Sequence, residues 1–177
     1  MSAPEFSRVE RLDTIGGEER MVAIAATAEE RAALAQRFAL VAVERLEAEV
    51  AIRRTGAGIA AKGVVRAEVV QACGVTGDPL PERVEEAIDL LFVEPAEAED
   101  EVELDEGALD TIEIDMGKGG GGIDLGEAAA ETMALALDPF PRSPRAAAVL
   151  KEAGVLSEEE AGPFGALAGL KAKLEGK

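Results

Sequence analysis

Two runs of this chain alternate between apolar and polar residues, and the four residues between them permit little except a turn. In Val43–Arg54, Leu46, Ala48, Val50 and Ile52 share one face, while Glu47, Glu49 and Arg53 share the other. Successive side chains of a strand point to opposite sides of a sheet, so a period of two predicts a half-buried antiparallel strand. Thr55-Gly56-Ala57-Gly58 supplies the turn. Ile59–Gln71 returns with Gly63, Val65, Ala67 and Val69 on one face and Lys62, Arg66 and Glu68 on the other. A third strand is predicted over Val84–Val93, where Val84, Ile88, Leu90 and Phe92 share a face. Three consecutive strands joined by short connections make a meander.

Helix signals flank this centre. Met21–Ala26 is a short apolar run and predicts a buried strand, while Phe6–Ile15 is ambiguous before the break at Gly16-Gly17. Thr27 with Glu30 forms a capping box for a helix over Ala28–Leu40. Asp124 with Glu127 forms a second for Leu125–Leu137, with Leu125, Ala129, Thr132, Met133, Ala136 and Leu137 as its apolar face. Asp138-Pro139 ends that helix, because the residue before a proline avoids the α region, and Pro141 and Pro144 keep the exit extended. Arg145–Ala153 is a short helix closed by Gly154. Ser157 with Glu160 caps another, and Phe164, Leu167, Leu170 and Leu174 form a stripe that packs on the body or is held for a partner groove.

The expected fold class is therefore α+β: an antiparallel β-meander sheet packed by two main helices, with an acidic loop and a short C-terminal helix. Residues 1–145 are expected to form one domain and residues 146–177 a helical extension. The acidic loop lies in Glu94–Asp115, which holds eleven acids and no base. A solvated loop with an insert over 94–110, or a charge mimic that docks on a basic protein, both account for it. A calcium loop does not, since ligands, glycine and terminal glutamate fall out of register. The glycine-rich run 117–122 has its lysine too early for a phosphate loop and is expected to be a hinge.

Composition excludes several function classes. Net charge is −18, from 36 acids against 18 bases, which disfavours DNA, broad RNA contact and anionic membranes. Five Phe with no Trp or Tyr leave few surfaces on which bases stack. Histidine is absent, which removes the commonest general base and nitrogen ligand. The single cysteine, Cys73, lies in the Gln71–Pro81 connector with nothing to activate it, and alone is expected to be a small buried hydrophobe. No enzyme, cofactor or metal is expected. With no apolar run long enough to span a bilayer and no signal peptide, the expected compartment is the cytoplasm.

Three blocks in order carry a resemblance: Val69-Val70-Gln71-Ala72-Cys73 with Thr76 and Pro79, then Ile123-Asp124-Leu125-Gly126-Glu127 with Glu131, then Leu135-Ala136-Leu137-Asp138-Pro139-Phe140-Pro141-Arg142. Together, with an acidic insert between the first and second, they resemble the YceD family of large ribosomal RNA subunit accumulation proteins. The tail Pro163-Phe164, Leu167 and Leu170-Lys171 is similar to alphaproteobacterial members. The resemblance implies a bacterial cytoplasmic factor supporting accumulation or processing of 23S ribosomal RNA. Its candidate motif or partner-binding residues here are Gln71, Cys73, Thr76, Pro79, Asp124, Gly126, Glu127, Glu131, Pro139, Pro141 and Arg142. Many relatives carry a second cysteine where Thr76 stands, so a zinc role does not carry over to this chain.

The reading this favours is a non-enzymatic ribosome-biogenesis factor that binds a basic large-subunit ribosomal protein or another assembly factor, with Glu97–Glu106 as the charged contact. The alternative is a direct RNA-binding module using Arg53, Arg54, Lys62, Arg66, Arg142 and Arg145. A third reading, a nuclease with Asp124, Glu127 and Glu131 as metal ligands, competes with capping, which already accounts for two of the three.

Overall fold

The computed structural model describes residues 4–94, 110–114 and 121–155. Strands β1 (Val9–Arg11), β2 (Arg20–Ala25), β3 (Ala42–Arg54), β4 (Ile59–Ala72), β5 (Pro79–Val93), β6 (Asp110–Glu113) and β7 (Gly122–Asp124) are joined by helices α1 (Ala28–Arg37), α2 (Leu125–Ala136) and α3 (Ala146–Glu152). The described residues divide into two compact units, one drawn from Met1–Gln71 with Pro81–Pro139, the other from Ala72–Leu80 with Phe140–Lys177.

The fold is α+β, and its centre is the expected meander. β2, β3, β4, β5 and β6 are neighbours in that order, with β2–β3 and β3–β4 antiparallel. Leu46, Ala48, Val50 and Ile52 of β3 are buried, as are Val65, Ala67 and Val69 of β4 and Val84, Ile88, Leu90 and Phe92 of β5. The alternation placed all three inward faces correctly. Gly63 lies opposite Val50, and a Cβ there would sit 2.0 Å from the Glu49 carbonyl oxygen, so the close approach of β3 and β4 requires glycine.

Four boundaries or faces differ from expectation. β2 is the sheet's edge rather than a buried strand: Val22 and Ile24 pack on the core, while Met21 is 65% exposed. β5 begins at Pro79, five residues before the apolar alternation starts, as a first strand position tolerates proline. α1 stops at Arg37, because Ala39 takes a left-handed φ of 53° and Leu40 N–H turns back to the Ala35 carbonyl. The buried face of α2 takes in Gly126, Ala128 and Ala130 and excludes Ala136, since the helix start is covered on nearly all sides.

β6 runs parallel to β5, with Leu90 opposite Asp110 and Phe92 opposite Ile112. β1 and β7 form a separate antiparallel pair. In the first unit, Leu34 of α1 and Leu125, Ala129 and Met133 of α2 share one buried cluster with Phe6, Ile123 and the inward faces of β3 and β4. Fully burying each large aliphatic side chain contributes about 1.5–3 kcal/mol, so this layer dominates the unit's stability. The acidic insert between Glu94 and Asp110, Gly117–Gly120, and the stretch from Ser157 to Leu174 lie outside the described residues.

Candidate functional site

The second motif block forms the start of α2. Asp124 is the N-cap, and its Oδ1 accepts from Gly126 N–H at 3.0 Å, Glu127 N–H at 3.2 Å and Arg8 N–H at 2.7 Å. Its Oδ2 accepts from Ser7 Oγ at 2.5 Å. Gly126 lies against the chain entering β1: a Cβ there would stand 2.5 Å from the Phe6 carbonyl oxygen. Glu127 does not close the expected capping box. Its two oxygens accept from Arg37 Nη1 and Nη2 at 2.8 and 2.6 Å instead. The bidentate geometry of a guanidinium on a carboxylate outcompetes a single backbone N–H. Glu5 shares Arg37 at 3.1 Å, and the guanidinium's affinity for its proton rises chiefly through Glu127.

By contrast, Thr27 and Glu30 do form both halves of a capping box at α1. Glu30 also receives Arg8 at 2.7 and 2.9 Å, and this guanidinium, with the Thr27 N–H, holds its carboxyl down at about 2. Asp124, Glu127 and Glu131 therefore do not converge as metal ligands: the first two face donors, and Glu131 is exposed on α2. Among the described residues no group of three acids or cysteines is placed to hold an ion.

The first and third blocks meet in the second unit. The connection after β4 is a tight turn in which Cys73 N–H donates to the Asp78 carbonyl at 2.8 Å, and Gly77, at φ +73°, donates to the Cys73 carbonyl at 2.9 Å. Cys73 is buried, as expected, and its sulfur is hydrogen-bonded. Its Sγ accepts from Ser143 N–H at 3.2 Å and from Thr76 N–H at 3.4 Å. Those donors, Ser143 first, bring its thiol down to about 6 against the opposing effect of burial. Thr76 Oγ1 donates to Asp78 Oδ2 at 2.8 Å and lies 3.2 Å from Ser143 Oγ. Gly74 N–H donates to the Pro141 carbonyl at 2.9 Å, and Arg145 Nε stands 3.7 Å from Asp78.

Cys73, Thr76 and Pro141 are thus brought together, with Ser143 and Asp78 as members the sequence reading missed. Ser143 is buried, and no local signal in the sequence marks it. The sulfur accepts from the backbone N–H groups of Thr76 and Ser143, so it links the turn after β4 to the segment after α2. In the first unit, Gln71 is buried and its Nε2 donates to the Asp138 carbonyl at 2.9 Å. Pro79, Pro139 and Arg142 are exposed.

The six basic residues of the RNA reading do not make a free patch. Arg54 donates to the Leu12 and Ile15 carbonyls, Lys62 pairs with Asp89, Arg66 with Glu49 and Glu85, and Arg145 with Asp78. Among the described residues only Arg53 and Arg142 of the six lack an acidic or carbonyl partner.

A family model described as Large ribosomal RNA subunit accumulation protein YceD matches residues 61–171. The chain belongs to the YceD family. The matched stretch contains every motif residue from Gln71 to Arg142, whereas β1, β2, α1 and β3 precede it. No curated protein and no solved structure matches the chain. The YceD name ties the chain to accumulation of the large ribosomal RNA subunit. Among the described residues no helix is long and apolar enough to cross a membrane.

Proposed function

We propose that this YceD-family chain is a non-enzymatic, cytoplasmic ribosome-biogenesis factor that supports 23S ribosomal RNA accumulation by holding a basic large-subunit protein or assembly partner. One observation carries the reading. The outward sheet face is internally paired, through Lys62–Asp89, Arg66–Glu49, Arg66–Glu85 and Arg83–Glu68, so acids and bases there largely cancel. The surplus lies elsewhere: Glu94–Asp115 supplies eleven of the eighteen uncompensated negative charges. A concentrated acidic segment attracts lysine- and arginine-rich surfaces over a distance and repels phosphate. RNA contact then arises through the partner.

The test is a strain whose only copy carries Glu97, Glu99, Glu101 and Glu103 changed together to Gln. The reading expects 23S ribosomal RNA to fall toward the level of a deletion strain, and capture of basic large-subunit proteins by the tagged chain to fall with it. Wild-type accumulation and capture in that strain would contradict it. Direct RNA binding by the purified chain, lost on replacing Arg53 and Arg142, would favour the alternative.

A further inference from the structure

We infer that β2 is a docking strand whose outer edge takes up an extended segment of a basic protein, with apolar residues alternating with Lys or Arg. This rests on the basic-partner reading above and adds where the partner binds and in what conformation.

β2 stands at the end of the five-stranded sheet, with β3 on one side only. Opposed residues of an antiparallel pair alternate between exchanging two hydrogen bonds and exchanging none. Ala26 N–H donates to the Leu46 carbonyl at 2.9 Å, which sets the parity of the ladder. Val22 and Ile24 therefore bond toward β3, and Met21, Ala23 and Ala25 turn their N–H and C=O groups outward. Arg8 Nη2 occupies the Ala25 carbonyl at 3.2 Å. Among the described residues nothing occupies the outward groups of Met21 and Ala23.

Native sheets blunt such edges with lysine, proline, bulges or very short strands. β2 pairs with β3 over six residues in unbroken register, and Met-Val-Ala-Ile-Ala carries no charge and no proline. Its one charge, Arg20, is at the far end and paired with Glu10 at 2.6 Å. This edge is open.

The two faces beside the edge specify the occupant. A strand added to an edge gains main-chain hydrogen bonds, and its alternate side chains meet alternate faces. On the inward face the neighbours are Val22 and Ile24, half-buried and apolar, which suit an aliphatic side chain. On the outward face Ala23 and Ala25 lie opposite Glu49 and Glu47. Their small methyls leave a depression of about 310 Å³ bounded by those carboxylates and Arg66. A lysine or arginine beside Ala23 reaches over it to Glu49, whose side chain is 62% exposed. It competes there with Arg66, 3.3 Å from Glu49, and with Arg45, which pairs with Glu47, and the chain's net charge of −18 favours the added cation. A second copy of this chain would bring another net charge of −18 to the same edge, which opposes self-pairing.

The probe is a labelled synthetic peptide of alternating Lys and Val added to the full chain, with amide hydrogen exchange as the readout. At saturation, exchange at Met21 and Ala23 slows by roughly tenfold or more, while Val22 and Ile24, already bonded to β3, hardly change. The same peptide with alternate backbone nitrogens methylated keeps its charge and does not protect them. Ala23→Pro removes an outward N–H without touching the β3 ladder, and Ala23→Lys keeps the strand but repels a basic one. Each weakens peptide binding by roughly tenfold, and Ala23→Thr does not. Unchanged exchange at Met21 and Ala23, or wild-type affinity in both Ala23→Pro and Ala23→Lys, overturns the docking edge while leaving a basic partner in place. A concentration-dependent dimer abolished by Ala23→Pro overturns it too, by assigning the edge to a second copy. If neither the peptide nor any basic large-subunit protein binds, the basic-partner reading itself fails.

Discussion

Glu127 and Arg37 stand 90 residues apart in the chain and meet through two parallel hydrogen bonds at 2.6 and 2.8 Å. The pair ties the first turn of α2 to the last turn of α1, on which Leu34 and Leu125 enter the same core. A residue whose spacing marks it as a helix cap is therefore a tertiary clasp.

The two side chains of the clasp are 29% and 24% exposed, so solvent still limits its contribution. Glu127→Gln and Arg37→Ala are each expected to destabilise the chain by about 1 kcal/mol. The double variant should lose little more than either single one, because both remove the same interaction. Urea unfolding of the four proteins checks this.

Gly126→Ala separates helix propensity from packing. In a free helix the change would stabilise by about 1 kcal/mol. Here the new Cβ would lie 2.5 Å from the Phe6 carbonyl oxygen and 2.9 Å from Arg8 N, with backbone on both sides. We expect destabilisation by about 1–3 kcal/mol, read as a lower thermal midpoint. A stabilised variant would mean that the chain entering β1 does not sit against α2.

Asp124→Ala strips the acceptor from three backbone N–H groups and the Ser7 hydroxyl, so it should exceed a simple cap loss at about 2 kcal/mol. Glu131→Ala, on the exposed side of the same helix, is expected to change stability by less than about 0.5 kcal/mol. Equal effects at the two positions would contradict this division between a structural acid and a surface one.

Cys73 gives a pH signature. Its thiol titrates at about 6 in the folded chain against an ordinary 9.0, mainly because Ser143 N–H donates to the sulfur. Between those values the unfolded chain binds the extra proton, so stability rises with pH; the gain is complete above pH 9 and lost as pH falls through 6. Thiolate absorbance should titrate near that lower value, and Cys73→Ala should flatten the rise. A titration midpoint near 9 would show that the N–H donors do not stabilise the thiolate.

The parts legible in the sequence were those fixed by local periodicity. β3, β4 and β5 carry their inward faces as alternation, and Thr27 with Glu30 announces α1 through a contact only three residues long. What escaped depends on distant pairing. β1 and β7 are three residues each, too short to show a period, and exist because they bond each other. β6 lies within the acidic stretch, and nothing local says that it pairs in parallel with β5. At the site, Cys73 and Thr76 stood out by motif. Ser143 and Asp78 did not, since their role is to satisfy a sulfur and a hydroxyl that only the folded loop brings near. Met21–Ala26 misled because an unbroken apolar run is the pattern of a buried strand and also of an open edge.

The central claim is that the concentrated acidic charge of this YceD-family chain holds a basic partner. It is tested most directly by the affinity for a purified basic large-subunit ribosomal protein, measured by calorimetry across a salt series. Surface charges separated by more than about 8 Å are largely screened at physiological ionic strength, so attraction resting on charge weakens steeply as salt rises. We predict a large fall in affinity from low to high salt, and a shallower fall for the variant with Glu97, Glu99, Glu101 and Glu103 changed to Gln. Binding that is tight and independent of salt in both proteins would contradict the claim.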